Sequence, residues 1–588
     1  MANKQQYIYK NPKLLQILPK WAQELAVKYG SKTSNLYILH GNIRDFLPHE
    51  ANEDEFIFAL IQKYIAEVLF GNQDIIAFYD RSEGVTFCTE DMAEEYDAIL
   101  RGRYPDADPL DFISTDPEKS FFYLEKYFLQ CIPNDRRIRC RMVLIIDYAE
   151  TIIPGGELLR MDDADRFCLV TLNRWATNPI FTEGDISVIL LTENLADISP
   201  RLVNSPSTVK VNVPFPSEKI RESFLRSKQQ EGLLLLEKGQ STFSIAAVTS
   251  GLNLMNLETL VLESHEEDKA LSMEYLRLKK KEMIENEAGG LLEFMDTVYS
   301  LDAVSGHEHV KRQFRNAAKA IKHGQLEVLP MGYLIAGPVG TGKSFMVSAF
   351  AGEIGIPMVK FGNFRSKWQG VTESNLEKVL NILKSMSPVA VMIDEADAFL
   401  GDRDQEGDSG VSNRVFAQIA SFMGDTSYRG KIIWFLITCR PDLIPIDLKR
   451  QGRAEDHYAL FYPESNQEKV DLFETLKKKL NFGVHQFPIL ELFKKYNHEV
   501  SGAEIEAMLI RAKQQAVMDN RTMVSRQDME DIMADFVPPA YEREIRLQNL
   551  VASLECTSKK MVPKRFQIES TKLINEIREL KSLLGERG

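Results

Sequence analysis

One stretch constrains the architecture more than any other: "YLIAGPVGTGKSFMVSAFAGEIG", residues 333–355. A short apolar strand runs into Gly337, then Gly340, Gly342, Lys343 and Ser344, and a helical pattern follows. Strand, Gly-rich loop and helix in that order are the context a phosphate-binding loop requires. Glycines are needed because backbone N–H groups must turn into the loop to meet phosphate oxygens, while the helix N-terminus adds its positive dipole end. The candidate nucleotide-binding segment is Gly337, Pro338, Val339, Gly340, Thr341, Gly342, Lys343, Ser344 and Phe345. Lys343 would reach the β and γ phosphates of ATP, and Ser344 would hold Mg²⁺.

A second apolar strand, "VAVMIDEADAF" at 389–399, supplies carboxylates. Asp394 at its C-terminal end would bind the metal, and Glu395 would polarise an attacking water. Ligands and catalytic groups gather at the carboxyl ends of strands in open α/β sheets, so the position suits the chemistry. An Asp-Glu pair after an apolar strand is in isolation a solvated strand end; about 50 residues beyond a phosphate loop it reads as functional.

From "LDAVSGHEHVKRQF" at 301 through "VSGAEIEAMLIRA" at 500–512, the chain resembles the AAA clade of AAA+ ATPases. "IIWFLITCRPDLIPIDLKRQGR" looks like that family's sensor-1 strand followed by its paired arginine fingers, which would be Arg450 and Arg453. In the family these fingers act on the nucleotide of a neighbouring subunit, which implies a homo-oligomeric ring, usually a hexamer. A guanidinium brought in from outside the pocket neutralises charge on the transferred phosphoryl group, an effect worth about 10³ or more in rate. The family usually has Asn at the sensor-1 position. This chain has Cys439 there, preceded by Thr438; a thiol is a weaker hydrogen-bond donor than an amide. "FRSKWQGVTESNLEKVL" at 364–380 resembles the first pore loop, in which an aromatic residue grips an extended polypeptide; Lys367, Trp368 and Gly370 fill those places. A large rigid aromatic surface packs on any chain without demanding a sequence.

A weaker copy of the same pattern lies upstream. "VLIIDYAE" at 143–150 is an apolar strand ending on Asp147, and 69 residues separate Asp147 from Pro216 (216 − 147) just as 69 separate Asp394 from Pro463 (463 − 394). Asp147 to Leu257 is 110 and Asp394 to Ile505 is 111, and the strands "SVILLT" and "IIWFLIT" fall at matching offsets. Such spacing predicts two copies of one module. In the first copy the strand "LYILHG" runs into "NIRDFLPHE" where a Gly-Lys-Ser loop should be, then into an expected helix over 54–70. No lysine takes the phosphate position, Arg44, Phe46 and Leu47 would crowd a pyrophosphate, and Tyr148 replaces the catalytic Glu. Asp147 and Arg201 stand as remnants without a role. The expected fold is therefore α/β with two AAA+ modules, each a parallel αβα sandwich with a small helical lid. The expected divisions are 1–215 (degenerate α/β domain), 216–265 (first lid), 266–300 (charged helical linker), 301–463 (active α/β domain), 464–536 (second lid) and 537–588 (helical tail).

Composition limits the partners. The chain has 588 residues, 71 Lys plus Arg against 85 Asp plus Glu, and a net charge of −14; with no dense basic run, nucleic acid is not expected. No apolar run is long enough to span a membrane. Six cysteines without Cys-x-x-Cys spacing point to a reducing cytoplasm and no zinc site. The resemblance implies a ring-forming ATPase that remodels, unfolds or disassembles an unidentified protein client through a pore. The alternative is a nucleotide-switched assembly scaffold with slow hydrolysis. Pairing an active with a degenerate module also resembles bacterial and plastid AAA proteins, some of which occur beside contractile phage-tail-like particles.

Overall fold

The computed structural model describes residues 18–52, 55–130, 141–156, 161–237, 239–267, 269–295, 298–354, 356–362, 373–400, 417–537 and 541–585. The chain divides into two compact units, residues 1–288 with 371–385 and residues 289–370 with 386–588. Each is built on its own sheet.

In the first unit α1 (Lys20–Ser31) precedes β1 (Leu36–Gly41), and a hairpin of β2 (Phe46–Asn52) and β3 (Glu55–Leu60) follows. Then come β4 (Ile75–Asp80), β5 (Gly84–Phe87), α2 (Glu90–Arg103), α3 (Pro117–Gln130), β6 (Met142–Ile146), α4 (Asp163–Thr177), β7 (Ile186–Thr192) and β8 (Thr208–Val213). The sheet order is β5-β4-β6-β7-β1-β8, parallel except for the edge strand β5. Successive strand residues point to opposite faces. Leu144, Ile146, Val188 and Leu190 join a core with Tyr96, Phe121 and Trp175, while Val143, Ile145, Ile189 and Leu191 join another with Trp21 and Leu25. Both faces are covered, which is why these strands read as unbroken apolar runs.

The hairpin corrects the helix expected over 54–70, since helix begins only at Ile61. Phe46 and Phe58 both reach Phe224 of the next helical region, at ring-centroid distances of 6.1 and 5.0 Å. That region holds α5 (Glu218–Gln230), α6 (Thr242–Val248), α7 (Leu254–Glu266) and α8 (Met273–Glu287). The last of these, read from sequence as a charged linker, packs on α6 and α7, with Leu276 and Ile284 buried. One lysine of its cluster turns inward: Lys280 donates to the Val248 carbonyl at 3.0 Å and to Ser250 Oγ at 3.2 Å. Burial pushes its pKa down to about 8.

The second unit repeats the plan. Its elements are β9 (Leu292–Phe294), α9 (Glu308–Lys322), β10 (Gly332–Ala336), α10 (Lys343–Ile354), β11 (Met358–Phe361), β12 (Val389–Ile393), β13 (Ile432–Thr438) and β14 (Ala454–Ala459). The sheet runs β14-β10-β13-β12-β11-β9, with β9 the antiparallel edge. Its five parallel strands follow the order of β8-β1-β7-β6-β4, so the two units are copies of one parallel α/β module. A separate apolar core unites α11 (Asn466–Lys479), α12 (Ile489–Lys495), α13 (Gly502–Met518) and α14 (Arg526–Asp535). The chain then forms α15 (Glu542–Glu555) and α16 (Ser570–Leu583), which share a core with Ala336 and Ala459 of the sheet and with Phe461 just beyond it. No helix among the described residues is long and apolar enough to cross a membrane.

Candidate nucleotide site and its filled counterpart

The phosphate loop joins β10 to α10 at the carboxyl end of β10, which lies between β14 and β13 in the sheet. Gly337 has φ of 143°, and a Cβ there would lie 2.1 Å from the Leu460 carbonyl oxygen. Only glycine allows both that torsion and that approach. Lys343 is buried at 8% exposure; its Nζ donates to the carbonyls of Gly337 and Pro338, both at 2.9 Å, and to Cys439 Sγ at 3.3 Å. At the tip, the Val339 N–H donates to Gln548 Oε1 at 3.2 Å and the Val339 carbonyl accepts from Tyr462 Oη at 2.8 Å. The helical domain meets the loop from the other side, where the Ala503 N–H donates to the Gly340 carbonyl at 3.3 Å.

Ser344 Oγ lies 3.2 Å from Asp394 Oδ2, and Lys360 Nζ lies 3.3 Å from the same oxygen. A hydroxyl and a carboxylate converging at a phosphate loop form the all-oxygen donor set a small divalent cation prefers, so the residues fit Mg²⁺. Glu395 is exposed and sits in the left-handed region at φ 49°. Its backbone N–H donates to Asp394 Oδ1 at 3.1 Å. The two sensor candidates separate. Thr438 Oγ1 donates to Asp397 Oδ1 at 2.6 Å and accepts from the Arg440 N–H at 2.8 Å, which commits the hydroxyl. Cys439 is the one that reaches the loop lysine.

Arg450 is exposed. Arg453 is half-buried and donates to the Asp447 carbonyl at 2.8 Å; burial and the neighbouring Arg450 hold its pKa below the usual value. Lys367, Trp368 and Gly370 lie outside the described residues.

The first unit keeps the frame and fills it. Register aligns His40 with Thr192 as it aligns Ala336 with Thr438, so Gly41, at φ 97°, matches Gly337 and Glu193 matches Cys439. Tyr148 repeats the 49° φ of Glu395. Arg44 occupies the space between these positions. It pairs with Asp147 at 2.6 Å, lies 4.0 Å from Glu193 and stacks over the Tyr148 ring at 3.8 Å. Gln62 Nε2 adds a 2.5 Å bond to Asp147. Where the second unit uses a loop carbonyl to hold its helical domain, the first uses a side chain: Asp45 Oδ1 accepts the Met255 N–H at 3.0 Å. Burial raises the Asp45 pKa despite that bond and others from Leu254, Asn42 and Phe46. Leu47 is buried in the core and Arg201 is exposed. Sequence reading thus anticipated crowding by Arg44 and missed its ionic partners. The 247-residue offset at this strand end (394 − 147) was the available signal, since it pairs Glu395 with Tyr148 and Asp397 with Glu150.

Comparison with known proteins agrees with this geometry. Residues 10–214 match the family model for the AAA+ chaperone N-terminal Rossmann-like domain, 219–289 that for the AAA+ chaperone second helical domain, and 333–462 that for the ATPase family associated with various cellular activities. The uncharacterized AAA domain-containing protein ycf46 of Guillardia theta is 24% identical over 81% of this chain and 96% of its own length. Its counterpart in Pyropia yezoensis is 23% identical over 77% and 96%. A Cell division cycle protein 48 homolog of Archaeoglobus fulgidus is 25% identical over 64% of this chain and 55% of its own. With two sheets of one strand order and an intact phosphate loop in the second, the chain belongs to the AAA+ ATPases, as a member with two modules.

Proposed function

We propose that the protein is a Mg²⁺-dependent, ring-forming ATPase whose second module hydrolyses ATP to remodel a protein client, while its first module serves as a non-hydrolysing partner. The observation that carries this reading is the convergence of Lys343, Ser344, Asp394 and Glu395 at the carboxyl ends of β10 and β12. Lys343 would leave the loop carbonyls for the phosphates, and Ser344 with Asp394 would hold the metal. When bound, Mg²⁺ offsets charge on the β and γ phosphate oxygens. Glu395 orients the attacking water and draws off its proton. Arg450 and Arg453, on a loop away from their own phosphate loop in sequence, act on a neighbour's nucleotide. A protein client is supported by the chaperone families that residues 10–214 and 219–289 match, and by Trp368 as a pore-loop aromatic.

The test is ATP turnover per chain as protein concentration rises, with Glu395→Gln as control. A steep rise that the control lowers by about 100-fold or more, in the range a positioned base contributes, is expected. Turnover per chain independent of concentration throughout would sink the shared site. A second reading, a nucleotide-switched scaffold, is favoured by Cys439 at the sensor position and by the Arg44-filled first site. Trp368→Ala separates the two: the remodeller loses client processing, whereas the scaffold keeps assembly and function.

A further inference from the structure

The helix α15 touches two distant parts of the ATPase site. Gln548, Ala552 and Glu555 fall on one face, four and three residues apart, as neighbours on a helix do. Gln548 accepts the Val339 N–H of the phosphate loop at 3.2 Å. Glu555, two turns later, pairs with Lys449 at 2.5 Å, the residue directly before Arg450. Lys449 also donates to the Pro441 carbonyl at 3.0 Å, which ties the loop back to the turn after Cys439. From α16, Lys581 reaches Asp442 of that turn at 2.8 Å, and Arg440 holds the same carboxylate at 2.9 Å. Between these polar ends, Leu547, Leu550, Val551 and Ala552 pack into one core with Ala336 and Ala459, the last residues of β10 and β14.

We infer that the C-terminal pair α15 and α16 is a brace for the ATPase site, in which Gln548 positions the phosphate loop and Glu555, through Lys449, positions the arginine-bearing loop. The two peptide groups flanking Val339 are both held, the N–H of one by Gln548 and the carbonyl of the other by Tyr462. Removing Gln548 frees one end of the loop tip that receives phosphate. Lys449 and Glu555 are only 11% and 23% exposed at their side chains, so solvent screens the pair weakly and loss of one member releases the loop. The two contacts therefore act on different steps: Gln548 on nucleotide binding, Glu555 on the step that needs Arg450. The second half rests on the reading of Arg450 given above.

The experiment measures equilibrium ATP affinity and saturated turnover of the full chain, with Gln548→Ala, Glu555→Gln, Arg450→Ala and the charge-swapped pair Lys449→Glu with Glu555→Lys. Expected for Gln548→Ala is affinity weakened about 3- to 10-fold with saturated turnover within about twofold. Expected for Glu555→Gln is affinity within about twofold and turnover down about 10-fold, restored to within about threefold by the charge swap. A purely structural role would lower both quantities together in both variants, and that outcome overturns the inference. If Arg450→Ala slows turnover while Glu555→Gln does not, the brace is wrong and the proposed function stands. If Arg450→Ala leaves turnover intact, the arginine reading fails and the Glu555 half falls with it.

Discussion

Glu395 and Tyr148 show what backbone geometry keeps when chemistry is lost. A left-handed torsion in a non-glycine residue costs about 1 to 2 kcal/mol, yet both sit at φ 49°. In each copy the preceding aspartate takes the strained residue's own N–H, at 3.1 Å for Asp394 and 2.7 Å for Asp147. The strand end imposes the turn in both copies, and in the proposed function the Glu395 carboxylate makes use of it. Cys439 is the residue where this chain leaves the family pattern, and its Sγ is the sensor-position atom facing Lys343. A thiol donates weakly, whereas an amide could supply a full hydrogen bond worth about 1 kcal/mol, a factor of about five in rate. Cys439→Asn should therefore raise saturated turnover by about fivefold with ATP affinity little changed. Steady-state kinetics at saturating ATP checks it; an unchanged or lower rate would acquit the thiol.

Among the elements, β2 and β3 gave the least warning. Residues 54–70 carry apolar side chains at helical spacing, but Phe46 and Phe58 share one face of a hairpin and close on Phe224, a contact with a helix more than 150 residues away in sequence (224 − 58 = 166). Local periodicity cannot register such a partner. By contrast β10, β12 and β13 were legible, because strands buried on both faces read as plain apolar runs and a phosphate loop announces the strand before it. The tail showed its helices but not their purpose, since the Gln548 and Glu555 contacts lie with loops about 100 to 200 residues upstream. The hairpin contact is testable in the full chain. Phe224 is 1% exposed, so Phe224→Ala should cost about 3 kcal/mol. Hydrogen exchange along α5 should accelerate by about 100-fold; rates matching the parent would mean the hairpin carries no load there.

Taken whole, the molecule carries two copies of one module, and the nucleotide site proposed above has all its parts in the second copy alone. The first copy lacks a lysine after Gly41 and places the Arg44 guanidinium against Asp147, Glu193 and Tyr148. These are the positions that in the second copy hold Asp394, Cys439 and Glu395. Evicting Arg44 would leave Asp147, with its side chain 7% exposed, as an unpaired buried charge, a loss of about 3 to 5 kcal/mol when a buried pair is broken. Incoming ATP would have to overcome that loss without a loop lysine to replace the guanidinium. The chain should therefore bind one nucleotide rather than two. Titration with a fluorescent ATP analogue should saturate at about one equivalent per chain, and Lys343→Ala should remove nearly all of it. A saturation near two, or a full equivalent surviving Lys343→Ala, would mean the first module admits nucleotide past Arg44. A single equivalent lost with Lys343 would mean that nucleotide binds the second module alone, which leaves the first free to act as a fixed platform through every turnover.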